Sequence, residues 1–119
     1  MAMTFDALPA FAKEFHRLSR KYRSLPRDLE EFKRVLQIQP LGNSKHFNVI
    51  TKVEGVAILK ARLFCRYLKG SSLRIIYAYH QKRAAIEFIE IYFKGDIENE
   101  DRERIEEYLK RLGAVAHFI

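Results

Sequence analysis

The chain has no tryptophan, one cysteine, three prolines and five glycines in 119 residues. A lone cysteine, Cys65, excludes an intrachain disulfide and any zinc site built from several thiolates. His16, His46, His80 and His117 are scattered without metal-ligand spacing, and no HExxH, phosphate-loop glycine pattern or GxSxG stretch occurs. The histidines are therefore read as surface or core polar groups, and Cys65 as a small buried hydrophobe. No apolar run approaches the roughly 20 residues that span a bilayer. The N-terminus also lacks the uninterrupted apolar segment of a secretory signal, so a cytoplasmic protein with no membrane partner is the expectation.

What is present is an ordinary globular composition, 48% hydrophobic and 31% charged, in a length that suits one domain over residues 1–119. The charge is uneven. Residues 96–119 hold seven acids and four bases, a net of −3, so the +7 of the whole chain leaves +10 on residues 1–95. A polyanion, nucleic acid first among them, is the natural partner of that basic part.

After a short extended opening at Met3 to Asp6, Leu8, Phe11, Phe15, Leu18 and Tyr22 recur at helical spacing. The stretch "SLPRDLEEFKRVLQIQP" repeats the pattern with Leu25, Leu29, Phe32 and Leu36 on one face, acids near its start and Pro40 as its stop. The two form a helical hairpin. From His46 the period changes to two, with strand-like runs at about 46–52, 56–67, 73–80 and 85–93 joined by separators short enough for antiparallel hairpins. Asn99 reads as the cap of a third helix with Ile105, Tyr108, Leu109 and Leu112 as its apolar stripe, followed by "AVAHFI" as a docked strand or a tail. The expected architecture is α+β, a helical hairpin packed on a mainly antiparallel four- to five-stranded sheet, with a C-terminal helix.

Alternation along a strand sorts the basic residues by face. Leu59, Ala61, Leu63, Cys65 and Tyr67 form one set, leaving Lys60, Arg62 and Arg66 on the other with Ile58 and Phe64. Leu73, Ile75, Tyr77 and Tyr79 point inward in the next run, so Arg74 shares the outer face. In the last run Ile89, Ile91 and Phe93 point inward, placing Glu90, Tyr92 and Lys94 outward. Fixed cations on a rigid sheet can bind phosphate oxygens, arginine in bidentate fashion, and can stabilise the added negative charge of a phosphoryl transition state. The acid-rich last helix is read either as solvated or as lying against this basic face, where replacing Glu100, Asp101 and Glu103 by glutamine would raise RNA affinity.

The pieces "FAKEFHRLSRKYRSLPRDLEEF", "AILKARLFCRYLKGSSLRIIYAY" and "IEFIEIYFKGD", in this order, resemble the RelE/ParE superfamily of toxins from type II toxin-antitoxin modules. The small-residue turn followed by "LRIIYAY" is the most specific part. The resemblance implies a metal-independent endoribonuclease, needing no cofactor, that inhibits translation by cutting mRNA at the ribosome, with a cognate antitoxin as partner. It implies Arg74 as the transition-state arginine, Lys60 and Arg62, with Arg66, as RNA-binding residues, and Lys94 or Tyr92 in proton transfer. "KGD" stands where RelE has a basic run, which leaves the general base unassigned. ParE-like relatives, which inhibit DNA gyrase, and an inactive antitoxin-binding homologue are the alternatives.

Overall fold

The computed structural model describes residues 2–43 and 45–113, so "AVAHFI" lies outside the described residues. Its elements are β1 (Thr4–Ala7), α1 (Pro9–Lys21), α2 (Leu25–Ile38), β2 (Phe47–Val53), β3 (Val56–Cys65), β4 (Gly70–His80), β5 (Ala85–Phe93) and α3 (Arg102–Arg111). The five strands form one sheet in the order β1-β5-β4-β3-β2. The β2–β5 meander is antiparallel, and β1 adds in parallel to β5, with Phe5 opposite Ile86. Gly55, at φ +78°, closes the two-residue turn between β2 and β3 in a left-handed conformation that strains other residues.

The expected helical hairpin covers one face of this sheet. Phe11 and Leu18 of α1, Tyr22 at its C-terminal cap, and Leu25, Leu29, Phe32 and Leu36 of α2 are buried against Leu59, Ala61, Leu63, Leu73, Ile75, Tyr77, Phe88 and Ile91. Cys65 is fully buried in the same layer. These strand residues are the ones that parity assigns inward, except Phe88, which the bulge described below turns inward; two residues that parity assigns inward are not there. Tyr67 lies beyond the end of β3 and is 57% exposed. Ile89 faces the other way, because β5 bulges: Ile76 pairs with Glu90 and Tyr77 with Phe88, so Ile89 is the extra residue and alternation restarts after it.

The opposite face is not left to solvent. Ile105, Tyr108 and Leu109 of α3 bury Ile58, Ile76, Ala78 and Ile89 in a second apolar layer. Asp101, not Asn99, caps α3, its carboxylate accepting the Arg104 N–H at 3.0 Å. The bulge supplies a further anchor. Arg104 donates to the Ile89 carbonyl at 2.9 Å and holds Glu14 of α1 through both carboxylate oxygens, at 2.9 and 2.8 Å. Glu14 in turn accepts the Ile91 N–H at 3.3 Å. Backbone groups of β5 beyond the reach of β1 thus find partners in one ion pair that ties α3 to α1.

At the other end of α3 the Tyr108 hydroxyl donates to Glu87 and lies 2.6 Å from His80 Nε2. Burial, then the charge of Arg83, lower the His80 pKa, against Glu87, which acts in the opposite sense. The folded state thus favours the neutral ring. Its contribution is complete above the unfolded value near 6.5 and is lost as pH falls below it. Glu90, whose pKa burial raises, works in the opposite direction at lower pH. The expected result is that the stability difference between wild type and His80→Gln shrinks from about pH 7.5 to about pH 5, measured by urea unfolding.

Candidate functional site

Pairing across three strands sets Arg62, Arg74 and Tyr92 in one row, since Arg62 is opposite Arg74 and Arg74 opposite Tyr92. Lys60 lies in the adjacent row, opposite Ile76, which pairs with Glu90. All six side chains share the face that carries α3. The helix covers the apolar part and leaves the charged row beside it.

Like charges directly opposite in a sheet repel. Burial, then the charge of Arg62, lower the pKa of the Arg74 guanidinium, with Tyr92 a smaller influence in the other direction. Two contacts fix its direction. Arg74 Nη1 donates to the Ser71 carbonyl at 2.6 Å and to the Leu73 carbonyl at 3.2 Å, so the first residues of β4 orient the side chain.

The turn that leads into β4 is held from the start of α2. Ser24 Oγ donates to Asp28 at 2.7 Å and accepts the Tyr67 N–H at 2.8 Å, while Asp28 accepts the Arg66 N–H at 3.3 Å. Lys69 adopts φ 53° within the turn. Asp28 is buried. In the sequence it reads as an ordinary acid in the first turn of a helix; its spacing of four from Ser24 is the available signal of the contact.

Arg66 is not part of the outer row. The strand ends at Cys65, and Arg66 turns to the helical side, where it pairs with Glu31 of α2. Lys94 is exposed just past β5, and its N–H reaches the Ser72 carbonyl at 2.9 Å, which places it across from the Arg74 turn. The structure therefore gathers Lys60, Arg62, Arg74 and Tyr92, puts Lys94 at the rim and separates Arg66.

Tyr92 is 1% exposed, and its hydroxyl has no hydrogen-bond partner among the described residues. The Lys60 ammonium lies close by and favours the phenolate, against the effect of burial. Burial raises the phenol's pKa, so Tyr92 stays protonated at neutral pH. Lys60 is held by one of the three acids expected to lie against this face if the last helix covers it. Glu100, from the segment between β5 and α3, accepts from Lys60 Nζ at 2.9 Å, and its second oxygen lies 2.8 Å from Arg102. Burial works against the Lys60 charge, but Glu100 and Tyr92 outweigh it and raise the ammonium's pKa. Burial likewise opposes the Glu100 charge, and Lys60 and Arg102 outweigh it, lowering the carboxyl's pKa.

The expectation that the acidic C-terminal element lies against the basic face thus has a specific form: an apolar stripe docks α3, and one acid, Glu100, enters the charged row. Among the described residues no cluster of three metal-ligating side chains occurs, and no helix is long and apolar enough to cross a membrane.

The sequence matches no family model and no curated protein. Two solved structures share the arrangement of elements. A RelE from Pyrococcus horikoshii OT3, in complex with RelB, aligns with 80% of this chain and 98% of its own, at 19% identity and a TM-score of 0.61. An arginine-substituted form of the E. coli toxin RelE in the free state aligns with 93% of this chain and 98% of its own, at 18% identity and a TM-score of 0.58. The fold is RelE-like. In this RelE-like fold the row of Arg62, Arg74 and Tyr92 crosses the middle strands of the sheet, beside the helix that follows β5.

Proposed function

We propose that this chain is the toxin of a type II toxin-antitoxin pair and inhibits translation as a ribosome-dependent, metal-independent mRNA endoribonuclease. The observation that carries the reading is the direct facing of Arg62 and Arg74 in one row with Tyr92, with no carboxylate paired to either arginine among the described residues. Two guanidinium groups held together at an electrostatic cost become favourable once an oxyanion lies between them. A phosphodiester is such a group, and the likeness to RelE structures supports choosing RNA.

In the proposed reaction the ribose 2′-hydroxyl attacks the adjacent phosphorus and the 5′-oxygen leaves. Arg74, aimed by the Ser71 carbonyl, stabilises the charge that grows on the non-bridging oxygens. Lys60 and Arg62 hold the phosphate, and Tyr92 or Lys94 protonates the leaving oxygen. A cognate antitoxin would lay an acidic segment over this row or displace α3; the RelE of P. horikoshii was solved together with RelB.

Primer extension on a reporter mRNA in a bacterial translation extract tests this reading. New ends that appear only with the protein present and only on translated message are expected. Growth inhibition without new ends would overturn the nuclease reading and direct the search to DNA gyrase. Neither effect would leave an antitoxin-binding relative without activity.

A further inference from the structure

Transfer of the 2′-hydroxyl proton needs a group that is unprotonated at neutral pH and reaches the reacting phosphate. The outer row does not offer one. Lys60, Arg62 and Arg74 are cations, and Tyr92 is a neutral phenol. Two carboxylates approach the row, and their surroundings differ. Glu90 sits a row away from Arg74, is buried, and gives one oxygen to the Asp101 N–H at 2.8 Å. It belongs to the anchoring of α3. Glu100 touches a phosphate-binding residue directly, through Lys60 Nζ at 2.9 Å.

Resting on the ribonuclease reading above, we propose that Glu100 is the catalytic residue that removes the 2′-hydroxyl proton. The geometry supplies both its position and its release. Glu100 is 4% exposed at the side chain, held by Lys60 on one oxygen and Arg102 on the other. An incoming phosphate competes for the same Lys60 ammonium. When the phosphate takes Lys60, the first oxygen of Glu100 loses its partner while still within an ammonium's reach of the phosphate that replaced it. The loss of the lysine also removes one of the charges that lower the carboxyl's pKa, so binding strengthens the base. Arg102, 70% exposed at the side chain, remains on the second oxygen and holds the carboxylate in place.

The step balances without a cofactor. The 2′-oxygen forms its bond to phosphorus while its proton passes to Glu100. The bond from phosphorus to the 5′-oxygen breaks, and that oxygen takes a proton from Lys94, the exposed cation at the rim of the row. The products are a 2′,3′-cyclic phosphate and a free 5′-hydroxyl. Lys94 recovers its proton from water, and Glu100 gives its own to water.

Glu100→Gln keeps the size and a hydrogen bond to Lys60 while removing the base. In the translation extract it is expected to cut the reporter at least about 100-fold more slowly than wild type. A labelled single-stranded oligoribonucleotide should bind at low salt as tightly as to wild type or more so, since a negative charge has left the site. Glu100→Asp, which keeps the carboxylate, should retain more cleavage than Glu100→Gln. Slower cleavage with undiminished binding is a split that a purely structural residue does not produce.

Faster cleavage together with tighter binding would overturn the proposal and make Glu100 an internal block on Lys60. Equal loss of binding and cleavage in both variants, with a lowered melting temperature, would overturn it as well and leave Glu100 a structural residue. Absence of cleavage by the wild type in the same extract would remove the ribonuclease reading and this inference with it, which separates the two failures.

Discussion

Arg74→Ala is expected to reduce mRNA cleavage by about 10²–10³-fold, the scale seen when one preorganised transition-state donor is removed. The effect follows from direction as much as charge. The guanidinium is held by the Ser71 and Leu73 carbonyls at the start of β4, and the turn that precedes them is tied to Ser24 and Asp28 at the start of α2. Arg74→Lys keeps the charge but loses the planar fork, so it should recover little activity. Melting temperature is the control. Alanine removes one of two facing cations, Arg62 and Arg74, and relieves their repulsion. Cleavage should therefore fall without a matching loss of stability; a loss of both would assign Arg74 to the scaffold.

The second large effect concerns a residue that strand alternation places on the outer face. Ile58→Ala is expected to lower the unfolding free energy by about 2–5 kcal/mol, as for other buried isoleucines cut back to alanine. Ile58 is 0% exposed because Ile105, Tyr108 and Leu109 of α3 lie over it with Ile76 and Ile89. Phe64→Ala, six residues along the same strand and on the same face, should change stability by less than about 0.5 kcal/mol, since Phe64 is 53% exposed beyond the edge of the helix. Urea unfolding of both variants checks the contrast. Equal small effects would mean that α3 does not hold its docked position in solution.

The contrast between Ile58 and Phe64 also marks where sequence reading stops. Alternation correctly separates Leu59, Ala61 and Leu63 from Lys60 and Arg62, because the pleat of a strand is a local steric property. It says which residues share a face and nothing about what covers that face. Ile89 shows the other limit. One extra residue in β5 reverses its direction, and the bulge depends on the partners that Arg104 and Glu14 offer to the freed backbone. Arg66 fails for a related reason: β3 ends one residue before it, where Ser24 and Asp28 capture the chain.

The candidate site divides in the same way. Arg74 stands out in the sequence as a charge in an apolar run after a small-residue turn, and parity brings Lys60, Arg62 and Tyr92 to its face. Glu100 carries no comparable signal, being one acid among seven in residues 96–119. Its pairing with Lys60, forty residues earlier, follows from how α3 docks.

By itself, then, the sequence determined the helical hairpin, the antiparallel meander and the basic row across it, because helical and strand periodicities and short turns are written in neighbouring residues. The tertiary structure alone decided the parallel pairing of β1 with β5, the bulge at Ile89, the cover that α3 lays over Ile58 and Ile76, and the entry of Glu100 beside Lys60. Those features join residues far apart in the chain, and their energies exist only once distant surfaces have excluded water between them.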